Sequence, residues 1–225
     1  MKYLSGYVWK APEVACVEEK MHRDSSILLQ QISYGKCNVV LACVCGGDVI
    51  GGYVTGGLKA WLAKRGKELF MNKVEDNGIK KELERELTRL DKEAGRYYNR
   101  KNEGRLQMQL SGILIADQDC WLMQSGESGI MLLNRRFQRT HCKRIGKESA
   151  ASIQVIGAGI QKCVGVLLGS NSFLQHVSGE ALAQCLAPHE IQKEGQIDRR
   201  LAELAEESRR RGYQQECSAV YVRSM

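Results

Sequence analysis

The chain has 225 residues, of which 43% are apolar and 26% are charged, and its formal net charge is +7. A chain of this length can bury one substantial core, whereas two domains would each have only a small one. A single domain over 1–225 is therefore expected. No apolar run approaches the roughly 20 residues that span a bilayer, and the start lacks the apolar stretch of a signal peptide. These features predict a cytoplasmic protein without a membrane partner.

The positive charge and the cysteines both favour ordinary structural roles. Basic residues cluster at 134–144 and in "ESRRRGY", but a nucleic-acid surface would interleave them with aromatic residues. Aromatic residues make up only 6% of the chain, which argues against a nucleic-acid partner. None of the nine cysteines has CxxC spacing, and Cys43, Cys45, Cys120 and Cys163 lie inside apolar runs. We expect buried thiols rather than metal ligands or redox centres.

The first half of the chain predicts a hairpin followed by helices. Strands are expected at 25–33 and 38–45, with a tight turn at Gly35 between them. The second strand ends in the glycine-rich stretch "GGDVIGG", which is interpreted as a turn. Thr55 is then expected to cap a helix that runs to about Met71.

A second helix is predicted from Ile79 to Tyr98, where apolar residues recur at steps of three and four. The short break "VEDNG" separates it from the first helix, so the two helices are expected to form an antiparallel pair. The residues predicted to face the core are Ile79, Leu83, Leu87, Leu90, Ala94 and Tyr97.

Strands return at 106–116, 119–125 and 128–133, with "ADQD" and "GESG" as the turns of an expected meander. A further buried strand is predicted at 162–169. The order of strands and helices to this point favours an α+β fold with layered sheets and helices.

The last quarter predicts two more helices and a closing strand. Ser178 is expected to cap a short helix that ends near Ala187. A helix over 196–211 carries apolar residues at helical spacing, and 217–224 alternates as a strand does.

Five short segments, taken in order, match the motif pattern of one known family. They are "HRDS", "VCGGDVIGG", "SGESGIMLL", "VLLGSNSFLQHVSGEAL" and "QECSAVYV". From about residue 20 to 223 the chain resembles the metal-dependent PPM-type, or type 2C, serine/threonine protein phosphatases. The resemblance implies a four-layer α-β-β-α sandwich of two antiparallel sheets flanked by helix pairs.

The first two motifs keep part of the family's metal-binding pattern. Asp24 and Ser25 match the first motif, with His22 in place of its asparagine. Gly46 stands where the family has its central metal-bridging aspartate. Gly47 matches the glycine whose carbonyl also contacts metal in the family.

The remaining motifs replace the family's aspartates, one by another carboxylate and two by neutral residues. Glu127 stands for the aspartate of the third motif, and Asn171 takes the place of the aspartate in the fourth. Gln215 and Glu216 stand where the family has an aspartate–asparagine pair. The resemblance therefore marks Asp24, Gly46, Gly47, Asn171 and Gln215 as the positions of a degenerate metal site.

The substitutions remove the groups on which the family's reaction depends. That reaction uses two divalent ions to position the phosphate and activate a bridging water, and such ions prefer carboxylate oxygens. Gly46, Asn171 and Gln215 supply no carboxylate, which leaves Asp24. We therefore assign no catalytic residue and no cofactor, and interpret the glycine-rich stretch as a metal-binding loop without its metal ligand. A plain turn in an unrelated fold is the alternative.

Three functions compete on this scaffold. The leading interpretation is a pseudophosphatase that binds a protein partner, with a phosphoprotein as candidate and Lys20 and Arg23 as candidate phosphate-binding residues. An active phosphatase would need an atypical site in which Asp24, Asp48 and Glu216 hold Mn²⁺ or Mg²⁺. The third function is structural, as an assembly protein that uses only the sandwich.

Overall fold

The chain forms ten strands and five helices within the residues that the structure describes. The structure is a computed structural model that describes residues 3–10, 25–46, 48–71, 76–99, 108–126, 128–134, 139–141, 154–159, 163–187, 190–191, 195–211 and 217–224. The strands are β1 (Tyr3–Lys10), β2 (Ser25–Tyr34), β3 (Cys37–Gly46), β4 (Gln109–Ala116), β5 (Asp119–Ser125), β6 (Gly129–Asn134), β7 (Arg139–His141), β8 (Gln154–Gly159), β9 (Cys163–Gly169) and β10 (Cys217–Ser224). The helices are α1 (Asp48–Met71), α2 (Asp76–Asn99), α3 (Asn171–His176), α4 (Gly179–Leu186) and α5 (Gln196–Arg210).

The strands form two antiparallel sheets of five strands each. Sheet A has the order β1-β10-β9-β6-β7, and sheet B has the order β2-β3-β4-β5-β8. Apolar residues from both sheets form one core between them, while α1 and α2 pack on the outer face of sheet B and α3 to α5 on that of sheet A. The predicted α+β fold with four layers, α-β-β-α, is confirmed.

Alternate residues of β3 enter different cores. Val40 and Val44 lie in the core between the sheets, whereas Leu41 and Cys45 lie in the core under α1 and α2. Successive side chains of a strand point to opposite faces. Both faces of β3 are therefore buried, which explains why its sequence reads as a continuous apolar run.

The predicted meander is wrong in one connection. The hairpin β4–β5 lies in sheet B, but β6 crosses to sheet A, where it pairs with β9 and β7. The chain changes sheets at the turn after Ser125, where Gly126 has φ +65°. Because β5 and β6 each bury both faces, their apolar patterns do not show which sheet each strand joins.

The helix after the glycine-rich stretch starts earlier than predicted. Thr55 is not a cap: it lies inside α1, where its hydroxyl donates to the carbonyl of Gly51 at 2.9 Å. A Cβ on Gly51 would lie 2.7 Å from the Cys45 carbonyl oxygen, and one on Gly66 2.3 Å from the Tyr34 hydroxyl. Most of the predicted turn is therefore helix, because its glycines serve the close approach of α1 to sheet B.

The predicted helix pair is antiparallel, as expected. Near the start of α1, the Tyr53 hydroxyl donates to Glu93 near the end of α2 at 2.5 Å. Further along α1, Arg65 lies 3.8 Å from Glu82, nearer the start of α2. The predicted apolar stripe of α2 is buried from 79 to 94.

The predicted late elements are also confirmed. The Ser178 hydroxyl caps α4 by accepting from the Ala181 N–H at 3.1 Å, and the apolar side of α5 is fully buried. The side chain of Tyr97, the last predicted core residue of α2, lies outside the described residues. No helix in the described part of the chain is long and apolar enough to cross a membrane.

Four elements were not predicted from the sequence: β1, β7, β8 and α3. β1 pairs along its whole length with β10 at the other end of the chain, and β8 adds the last strand to sheet B beside β5. α3 is a short helix capped by Ser170, whose hydroxyl accepts from the Phe173 N–H at 3.4 Å. β1 and β8 thus depend on partners that are distant in the chain rather than on a local pattern.

Two glycines of α1 provide a matched test of this packing. Gly51→Ala should lower the free energy of unfolding by roughly 1–3 kcal/mol, because its Cβ would overlap the backbone of β3. Gly56→Ala should raise it by about 0.5–1 kcal/mol, because a Cβ there meets nothing within 4 Å and alanine favours helix. Urea denaturation followed by circular dichroism measures both, and equal stabilities would contradict the close contact.

Candidate functional site at one end of the sandwich

One end of sheet B is built from the first two motif segments and β4. Ser25, which follows Asp24 in the chain, pairs with Gly46, and Gly46 pairs on its other side with Gln109. The end of β5 lies in the same row, since Ser125 pairs with Leu110.

The other motif segments lie at one end of sheet A. Gly169, at the end of β9, pairs with Gly129 on one side and with Ala219 on the other. The Ser170 N–H donates to the Ser218 carbonyl at 3.2 Å, which connects the start of α3 to the start of β10.

Hydrogen bonds show that these two ends are the same end of the sandwich. The buried Ser111 hydroxyl of sheet B donates to the Gly169 carbonyl of sheet A at 3.4 Å. The Ser128 hydroxyl donates to the Ser125 carbonyl at 3.0 Å, and Gln124 donates to the Ser128 carbonyl at 2.9 Å. Described residues of all five motif segments therefore lie at the same end of the sandwich, as the resemblance implied.

The structure describes only some of the predicted site residues. Gly46 is fully described, whereas only the backbone is described for Asp48 and Asn171, the first residues of α1 and α3. Both helices begin at this end of the sandwich. The predicted residues Lys20, Arg23, Asp24, Gly47, Gln215 and Glu216 lie outside the described residues, and their roles stay predictions.

A residue that the sequence analysis missed lies over Gly46. On a Cβ built at Gly46, the nearest atoms would be Gln109 Cβ at 3.2 Å and Gln109 Oε1 at 3.3 Å. The cross-strand register between β3 and β4 places Gln109 there. Finding Gln109 from the sequence requires the register between β3 and β4, and two helices separate these strands in the chain.

The described residues do not fit the metal centre of the family. Gly46 has no side chain to offer a metal ion. The Gln109 amide lies beside the space that a side chain at position 46 would occupy. Among the described residues, no group of three or more His, Cys, Asp or Glu could hold a metal ion. We therefore derive no metal-dependent step at this site.

The thiols beside the site are poor nucleophiles. Burial raises the pKa of Cys43 to about 12, and burial together with nearby Cys43 and Asp91 raises the pKa of Cys45 well above its usual value. Both thiols are thus protonated at neutral pH, and the thiolate is the reactive form. Cys43, Cys45 and Cys120 are buried thiols outside any disulfide, as predicted, whereas the side chain of Cys163 lies outside the described residues.

No family model matches the chain, and no curated protein matches it in sequence. Solved structures do match it along its whole length. A serine/threonine phosphatase from Staphylococcus aureus superimposes with a TM-score of 0.73 at 14% identity, covering 100% of this chain and 96% of that one. One from S. agalactiae gives 0.71 at 10% identity, covering 100% of both. PppA, a key regulatory component of T6SS in Pseudomonas aeruginosa, gives 0.65 at 12% identity, covering 100% and 99%.

The chain thus has the fold of bacterial PP2C-type serine/threonine phosphatases, and the predicted resemblance is confirmed at the level of the fold. At these identities the likeness shows the fold and not the chemistry of the site. Gly46 is the predicted site residue that the structure describes in full, so the next prediction concerns this position.

Gly46→Asp should fold, with a change in the free energy of unfolding within about 1 kcal/mol. Among the described residues the crowding comes from Gln109: its amide is on an exposed side chain and can move aside, whereas its Cβ at 3.2 Å requires the two strands to shift slightly. Urea denaturation measures the change, and adding Gln109→Ala should remove the part of any loss that comes from the amide. If Gly46→Asp gave no soluble folded protein even with Gln109→Ala, the equivalence of position 46 with the family's aspartate would be wrong.

Proposed function

We propose that this protein is a pseudophosphatase, a PP2C-like domain that acts by binding rather than by metal-dependent hydrolysis. The observation that carries the proposal is Gly46 at the end of β3, paired between Ser25 and Gln109. By the motif pattern, position 46 is where the family has its bridging aspartate, and the residue there has no side chain. A two-metal centre needs anionic oxygen ligands to hold hard divalent ions.

The proposed ligand is a protein segment, with a phosphorylated one as candidate. Replacing carboxylates by neutral residues removes negative charge that would repel a phosphate in the absence of metal. Lys20 and Arg23 precede β2, which starts at this end of the sandwich. Arginine can bind phosphate in a bidentate manner, and lysine adds a positive charge. The regulatory role named for the similar PppA structure supports a binding function.

Manganese should leave the melting temperature unchanged. An ion at about a hundred times its Kd would stabilise a folded protein by about 2.7 kcal/mol, which raises Tm by several degrees in a chain of this length. Millimolar Mn²⁺ is expected to give no such rise and no hydrolysis of a small phosphoester. A rise that Asp24→Ala abolishes, together with hydrolysis, would establish the atypical metal site instead.

Phosphopeptide binding separates the pseudophosphatase from an assembly protein. In the presence of a chelator, a phosphoserine peptide should bind more tightly than its unphosphorylated form, and the difference should shrink with salt and vanish in Arg23→Ala. Calorimetric titration measures the affinities, with Lys36→Ala at the opposite end of sheet B as the control that keeps the difference. Equal affinity for both peptides, or no binding at any salt, would favour the assembly protein.

A further inference from the structure

A cavity of about 580 Å³ lies at the opposite end of sheet B from the degenerate metal site. It is lined by the turn between β2 and β3, the end of α1, the start of α2 and the turn between β4 and β5. Cys37, at its wall, and Gly46 are the two ends of β3. At about 3.3 Å per residue, the cavity lies roughly 30 Å from Gly46. It is thus a separate feature of the molecule.

Three aromatic residues, Tyr34, Phe70 and Trp121, contribute to the wall of this cavity. The rings of Tyr34 and Phe70 stack with their centroids 6.0 Å apart, and the Tyr34 hydroxyl donates to the Leu62 carbonyl at 2.8 Å. Trp121 is 2% exposed. The aromatic wall is therefore held in place before any ligand binds.

Carboxylates dominate the charge around the cavity. Asp76, Asp117 and Asp119 line it, and Lys36 is the one basic residue among the described lining residues. Asp117 is fixed in its turn, since its carboxylate accepts from the Asn38 N–H at 3.1 Å. In the described part of the chain, no lysine or arginine forms an ion pair with Asp76 or Asp119.

The ionisable groups of the wall respond to this excess of negative charge. Burial, followed by Asp76 and Asp117, raises the pKa of Asp119. Burial and the neighbouring Asp117 and Asp119 raise the pKa of Cys37 to about 11. Burial is the larger cause of both shifts, and the neighbouring carboxylates act in the same direction.

We infer that this cavity binds the guanidinium group of an arginine that a partner protein presents. A planar guanidinium can stack flat on aromatic rings while its fork of N–H groups binds carboxylates, whereas an ammonium group attracts rings and carboxylates only as a compact point charge. The volume lies in the range of ligand sites and accommodates an arginine with its flanking backbone. The site goes beyond the proposed function and does not depend on it, because no residue of the degenerate metal site takes part.

The test is a titration followed by NMR of the tryptophan indole N–H groups. The probe is a short glycine- and serine-flanked peptide with one arginine, compared with the same peptide carrying citrulline, which is neutral, or lysine. The arginine peptide should move the Trp121 signal in a saturable way and leave that of Trp61, which does not line the cavity, in place. The citrulline and lysine peptides should bind at least about tenfold more weakly.

Matched variants assign the binding to the carboxylates. The double variant Asp76→Asn/Asp119→Asn should weaken the arginine peptide about tenfold, whereas Asp91→Asn, elsewhere on α2, should leave its affinity unchanged. Lys36→Gln should strengthen binding, because it removes the one described cation of the wall. Thermal melting checks that each variant is folded. Asp76 and Asp119 are exposed, and the change breaks no ion pair with a described lysine or arginine.

Several results would overturn the inference. They are an unchanged Trp121 signal up to the solubility limit, equal binding of the citrulline or lysine peptide, and unchanged affinity in the double variant. Methylguanidine, which lacks the peptide backbone, is the last arm: binding as tight as the peptide's would assign the cavity to small guanidinium compounds and overturn the protein partner. Each of these results is independent of manganese and phosphopeptide binding at the other end.

Discussion

The register of β3 between β2 and β4 is the constraint on which the other features depend. Because alternate residues of β3 enter two different cores, a slip of one residue would move every apolar side chain to the wrong face. The register is thus fixed by burial on both sides, and it places Gly46 between Ser25 and Gln109. The fold therefore fixes the place of position 46, and the absence of a side chain there follows from the residue, which is glycine.

The same register separates two chemically different ends of sheet B. At one end, Gly46 has no side chain, and the neutral Gln109 lies beside it. At the other end, the hairpin turns bring Asp117 and Asp119 to the start of α2, against an aromatic wall. On a fold that the solved phosphatases also have, the described carboxylates of Asp76, Asp117 and Asp119 lie at the end of sheet B opposite the motif segments.

Much of the fold could be predicted from the sequence because the central strands and long helices have clear patterns. α2 could be predicted from apolar residues at steps of three and four, and β3 from its continuous apolar run. Thr55 was misassigned because the glycines before it were interpreted as a turn, whereas Gly51 is needed for contact with the Cys45 backbone. The local sequence does not show this need for glycine, because it arises only when α1 packs on sheet B.

The candidate site could be predicted less well. The order of the motifs predicted that their segments meet, but the change of sheets at Gly126 and the position of Gln109 depend on long-range pairing. Strand β1 was missed for the same reason, since it is defined by β10 at the far end of the chain. Propensity and periodicity describe a segment alone, whereas these features belong to pairs of distant segments.

A crystal structure of the protein grown with manganese, with an anomalous difference map at the manganese edge, shows whether position 46 belongs to a metal centre. We expect no anomalous peak beside Gly46 at the end of β3, and a neutral environment formed with Gln109. A strong peak there, coordinated by oxygen ligands of this chain, would contradict this expectation and show that the domain retains a metal centre.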